Sequence, residues 1–166
     1  MRKLIVVLVT AIIVQLGMPY AHACGDKTMR VRNGVRSYQR EIANHPATIL
    51  ILSAALPNGK AAVLRKFLND VGHKATAIDD VRTVKDDLKT GQYDLVLTNL
   101  AEAPDLQREV ASFTPKTVVV PVLFKQPKSD EKAAAHQYKV IVKNPQDGLD
   151  FLDAVSAAMK SQLKKS

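Results

Sequence analysis

The chain has 166 residues and a formal charge of +8, with 24 basic against 16 acidic side chains. Its single cysteine, Cys24, excludes an internal disulfide, and no Cys-x-x-Cys or His-x-x-x-His spacing offers a ligand set, so neither a metal nor another cofactor is expected. A basic balance favours anionic neighbours, but no basic stripe interleaved with aromatic residues is present, so nucleic acid is not the expected partner.

In chain order, Arg2 and Lys3 precede an apolar run from Leu4 to Val14 broken only by Thr10, and Ala21-His22-Ala23 follows with small residues at both cleavage-determining positions. This order predicts a secretory signal over residues 1–23 and an exported, periplasmic or cell-envelope product. The apolar run is shorter than the roughly 20 residues a bilayer-spanning helix takes. Cleavage leaves 143 residues with a formal charge of +6, enough for one domain with one core. Cys24 then becomes the first residue, where bacterial lipoproteins carry an acylated cysteine, although Ala21 and His22 depart from the residues usual before it. Two fates follow for Cys24: a lipid tether to the membrane, or an unmodified thiol.

Residues 24–47 carry five basic residues (Lys27, Arg30, Arg32, Arg36, Arg40), two acids and few large apolar groups, the composition of an arm or spacer. Asn33-Gly34 within it is tight-hairpin chemistry, with Met29, Val31 and Val35 alternating with arginines around it.

From Thr48 the pattern becomes apolar bursts separated by amphipathic segments. Thr48 to Leu52 is a continuous apolar strand ending near the turn Pro57-Asn58-Gly59, and Leu64, Phe67, Leu68 and Val71 then mark one face of a helix closed by Gly72. Lys74 to Ile78 reads as a second strand, and Thr83-x-x-Asp86 as a capping box opening a helix with Val84 and Leu88 inward. Tyr93 to Leu97 is the third strand, followed by a helix with Pro104 in its first turn and Leu106, Val110 and Phe113 inward. Thr117 to Phe124, a short helix from Ser129 to His136, and Tyr138 to Val142 come next. The last helix has Leu152, Val155, Met159 and Leu163 as its inward stripe. Strands alternating with helices predict an α/β domain over residues 48–166, with a five-stranded parallel sheet covered on both faces.

Catalytic constellations are sparse. His45, His73 and His136 fall on a loop, a strand start and a polar helix, which predicts surface positions rather than a base beside a nucleophile. Asp79-Asp80 and Asp86-Asp87 suit a helix start and its solvated face, where aspartate complements the dipole. Asn58-Gly59-Lys60 is too short for a phosphate-binding glycine loop.

Gly72-His73-Lys74-Ala75 after Phe67-Leu68, then Tyr93-Asp94-Leu95-Val96-Leu97-Thr98-Asn99-Leu100, then Lys143-Asn144-Pro145 before the last helix resemble the receiver domain of two-component response regulators over about 115 residues. The resemblance implies a flavodoxin-like sheet ordered 2-1-3-4-5, with ligands bound at the carboxyl ends of strands 1 and 3. It further implies two acids after strand 1, a phospho-accepting aspartate after strand 3, a hydroxyl after strand 4 and a lysine after strand 5, with the acids holding Mg²⁺. This chain has Ser53 and Ala54, then Asn99, then Phe124-Lys125-Gln126 at the first three positions, and only Lys143 matches. A neutral amide is a poor nucleophile and a weak metal ligand. The expectation is therefore an exported pseudo-receiver that is neither phosphorylated nor an enzyme, and that serves as an interaction module for a protein partner.

The resemblance makes the face from Ser129 to Lys160 the first candidate surface for that partner, because receivers commonly pair through their last two strands and last helix. The alternative is a neutral-to-positive cleft lined by Ser53, Asn99 and Lys143, binding a small anion or acting as an enzyme site.

Overall fold

In the computed structural model the description covers residues 46–57 and 59–163; the signal segment, Cys24, the Asn33-Gly34 turn and Asn58 lie outside the described residues. The elements are β1 (Thr48–Leu52), a 3-10 turn (Ser53–Ala55), α1 (Lys60–Asp70), β2 (Lys74–Ile78), α2 (Val81–Thr90), β3 (Leu95–Asn99), α3 (Ala103–Phe113), β4 (Val118–Leu123), α4 (Lys128–Gln137), β5 (Val142–Lys143) and α5 (Gly148–Leu163). The strands form one parallel sheet in the order β2-β1-β3-β4-β5. Among the described residues, no helix is long and apolar enough to cross a membrane.

Continuous apolar strands are explained by burial on both faces. Ile49, Ile51, Leu95, Leu97, Val120 and Val122 point to one side, where α1 supplies Leu64 and Leu68 and α5 supplies Phe151, Leu152 and Val155. The alternate residues Leu50, Leu52, Val96, Val119 and Leu123 point to the other, against Val84 and Leu88 of α2, Leu106 and Val110 of α3, and Ala134 of α4. The edge strand β2 is blunted by Asn69, whose side chain accepts the Ala75 N–H at 2.8 Å and donates to the Ala75 carbonyl at 3.1 Å, occupying groups a further strand would use.

Several expectations shift. α2 begins at Val81, so Thr83 is an early helical residue and not a cap; its Oγ1 donates to the Asp80 carbonyl at 2.8 Å. β3 runs Leu95–Asn99, because Asp94 is used at the strand entrance. β5 shrinks to Val142–Lys143, and Tyr138 instead ends α4. Phe113 and Leu163 keep their helical phase but sit in terminal turns beyond the sheet's cover, 48% and 56% exposed.

His73 is the largest departure, being 7% exposed where a surface position was expected. Its Nδ1 accepts the N–H of fully buried Ala47 at 3.1 Å, which requires a neutral imidazole, and burial lowers its pKa below the ordinary 6.5. Below pH 6.5 the unfolded chain takes up a proton that the folded one resists. The contribution is therefore complete above pH 6.5 and is lost as pH falls toward the lowered folded pKa. Urea unfolding across this range should show that loss, and His73→Leu should remove this part of the pH slope. The variant should also lower the neutral-pH plateau by about 1–3 kcal/mol, because the Ala47 N–H loses its acceptor.

Candidate functional site

Parallel strands bring the carboxyl ends of β1 and β3 side by side at the sheet centre, where the order of connections reverses. Ser53 leaves β1 into the 3-10 turn, and its Oγ donates to Asp79 Oδ1 at the end of β2, 2.5 Å away. Asn99 is the last residue of β3. Its Oδ1 accepts the Glu102 N–H at 2.8 Å, so the amide is spent on turning the chain into α3. Buried Thr98 beside it donates to Glu102 Oε2 at 3.5 Å.

Lys143 lies at the same level of the sheet, but β4 stands between it and Asn99. Two strand spacings separate them, about 10 Å. The Lys143 side chain is exposed and lines a shallow groove of about 300 Å³ with Asp150 and Asp153 of α5. Ser53 thus follows β1 and Asn99 ends the adjacent β3, whereas Lys143 lies on β5 beyond β4. Two carboxylates that the sequence reading did not place here, Asp79 and Glu102, accompany the first pair.

Asn144 was also missed. It adopts a left-handed conformation (φ 42°), accepts the Lys125 N–H on its Oδ1 at 2.6 Å and donates its own N–H to the Leu123 carbonyl at 2.7 Å. It locks the loop after β4, where Lys125 is also left-handed (φ 50°), onto the loop after β5. The residue type was the available signal, since asparagine enters this conformation more readily than most side chains.

A second concavity, of about 460 Å³, lies at the opposite end of the sheet. It is bounded by Ala111 of α3, Lys116, Val119 of β4, Tyr138, Lys139 and Leu163. It occupies the place beside β4 where the first half of β5 was expected, because β5 pairs only with Val122 and Leu123. Tyr138 is 4% exposed, and its hydroxyl is buried without a hydrogen-bond partner among the described residues. Burial raises its pKa above the ordinary tyrosine value. Among the described residues, no group of three His, Cys, Asp or Glu side chains is placed to hold a metal ion.

No protein-family model and no curated protein matches the chain. Solved structures do. A CheY-like response regulator receiver domain protein from Methanospirillum hungatei matches with a TM-score of 0.61 and 12% identity, over 73% of this chain and 99% of its own. NtrX from Brucella abortus matches with a TM-score of 0.60 and 19% identity over 72% of this chain, which spans only 28% of that protein. A protein from Burkholderia pseudomallei described as related to pilus assembly matches with a TM-score of 0.51 and 17% identity, over 69% and 90%. The chain has the flavodoxin-like receiver fold.

Asn144→Ala should destabilise the domain by about 1–3 kcal/mol, through the lost acceptor and the strain of a left-handed alanine. Asn144→Gly should cost less, because glycine keeps the conformation and loses only the hydrogen bond. Tyr138→Phe should leave stability unchanged or raise it by up to about 1–3 kcal/mol, since the hydroxyl it removes is buried and unbonded. Denaturant midpoints measure all three.

Proposed function

We propose that the chain is an exported, non-enzymatic interaction module that uses a receiver fold without receiver chemistry. Residues 1–23 would direct export, and residues 24–47 would link Cys24 to the domain. The observation that carries the reading is at the end of β3: the position of the phospho-acceptor is Asn99, and its side-chain oxygen is engaged by the Glu102 N–H. Ser53 and Ala54 replace the metal-binding acids, and the Ser53 hydroxyl is turned to Asp79. An amide held this way neither attacks a phosphorus atom nor offers the charge that Mg²⁺ requires. The face of α4, β5 and α5, within Ser129 to Lys160, remains the candidate surface for a protein partner; its shallow groove along Val142, Asp153 and Ala157 offers contact area and no enclosed reaction chamber.

Incubation with a small-molecule phosphodonor and Mg²⁺, read by intact mass, should give no phosphoryl adduct. Asn99→Asp should give none either, because Ser53 and Ala54 still provide no carboxylate for the metal. A stable adduct on the unaltered chain would overturn the reading. In the envelope fraction of a producing cell the chain should begin at Cys24; an unprocessed N-terminus would remove the export part of the proposal.

A further inference from the structure

Every helix of this fold returns antiparallel to the strands, so the helix C-termini gather at the pole where the strands begin. Five lysines stand at that pole. Lys74 opens β2, Lys89 and Lys160 lie in the last turns of α2 and α5, Lys116 precedes β4, and Lys139 follows α4. All five are exposed.

Three acids of the same pole are engaged, among them Asp86, which pairs with Lys89 at 3.3 Å. The Asp94 carboxylate is turned inward onto the Thr48 N–H at 2.7 Å, and Asp70 pairs with Lys66 at 2.7 Å. Two of the exposed large apolar side chains, Phe113 and Leu163, end α3 and α5 at this pole, and Lys89 Nζ lies 5.6 Å from the Phe113 ring centre. The sequence adds charge at both ends of the domain. In the sequence, Lys164 and Lys165 follow Leu163, and residues 24–47 carry five basic residues against two acids.

Lysines in last turns complement helix dipoles, which accounts for Lys89 and Lys160. It does not account for Lys74 and Lys116, which belong to no helix, or for the exposed apolar pair. We infer that this pole is a docking surface for an anionic phospholipid bilayer, with the lysines meeting lipid phosphates and Phe113 and Leu163 entering the headgroup boundary. The chemistry matches: basic side chains over an anionic leaflet attract additively, and a few apolar groups beside them enter the interface. The inference rests on the folded domain and stands independently of the silent phosphorylation site.

Sedimentation with vesicles tests it, using the chain from residue 24 onward, which keeps every described residue. Binding to phosphatidylglycerol vesicles is expected, with little binding to phosphatidylcholine vesicles and steep loss as salt is raised. Lys74→Glu with Lys116→Glu should weaken the partition at least about tenfold. The charge-matched control at the opposite pole, Lys60→Glu with Lys125→Glu, should change it by less than about twofold. Phe113→Ser with Leu163→Ser should reduce the binding that survives raised salt. All the altered side chains are exposed, so unfolding midpoints should stay close to the parent's. Equal losses in the two lysine pairs would mean that net charge alone drives binding, and no loss in either would place binding in the arm; both results overturn the docking pole.

Discussion

At the entrance to β1, the N–H of Ala47 is taken by His73 Nδ1 and the N–H of Thr48 by the Asp94 carboxylate. Backbone bonds return the exchange: Lys74 N–H donates to the Ala47 carbonyl and Asp94 N–H to the Thr48 carbonyl. β1 is flanked by β2 and β3, so this one junction aligns three strands before their ladders begin. Gln162 extends it by donating to the Asp94 and Lys116 carbonyls, which ties the end of α5 to the start of β4. Buried donors that lose their partners cost the full desolvation penalty. The register, and with it everything at both poles, therefore depends on a neutral histidine and an aspartate at the start of the sheet.

At the opposite pole, polar side chains hold the loops in place. Ser53, Asn99 and Asn144 stand at loop positions where a receiver has functional groups or their neighbours, and each is engaged in holding a loop. An asparagine at the end of a strand can take a backbone N–H two or three residues on, a local bond that aspartate could also make but that phospho-acceptance would compete with. The Ser53, Asn99 and Asn144 side chains therefore serve the conformation of the loops that carry them. The cluster is not uniformly basic either, because Asp79 and Glu102 accompany Ser53 and Asn99.

The two poles differ in charge for a reason built into α/β architecture. Helix starts favour acids and helix ends favour bases, and parallel topology collects all the starts at one end and all the ends at the other. Asp105, Asp130, Glu131 and Asp150 occupy first turns, while Lys89, His136 and Lys160 occupy last turns. Local helix electrostatics thus sum to a dipolar domain, and Lys74 and Lys116 deepen it.

The alternation of apolar runs with helical stripes was enough to read the class and the strand count, while the order 2-1-3-4-5 came from the resemblance to receiver domains. β1 and β2 occur with the expected bounds, and Gly72 closes α1 through a positive φ of 108°. Such features are local, since periodicity and a turn residue carry them. What long-range partners impose was not legible. His73 is buried because Ala47, distant in sequence, needs an acceptor; β5 stops short because Tyr138 turns into the core beside Ala134 and Val119; Phe113 and Leu163 are exposed because their helices outrun the sheet. At the candidate site the residues Ser53, Asn99 and Lys143 were picked out through the resemblance to receiver domains. Only the folded structure decided that Ser53, just after β1, and Asn99, at the end of adjacent β3, are each bonded to a neighbour, with Lys143 two strands from Asn99, because hydrogen-bond partners and sheet neighbours are properties of packing and not of spacing along the chain.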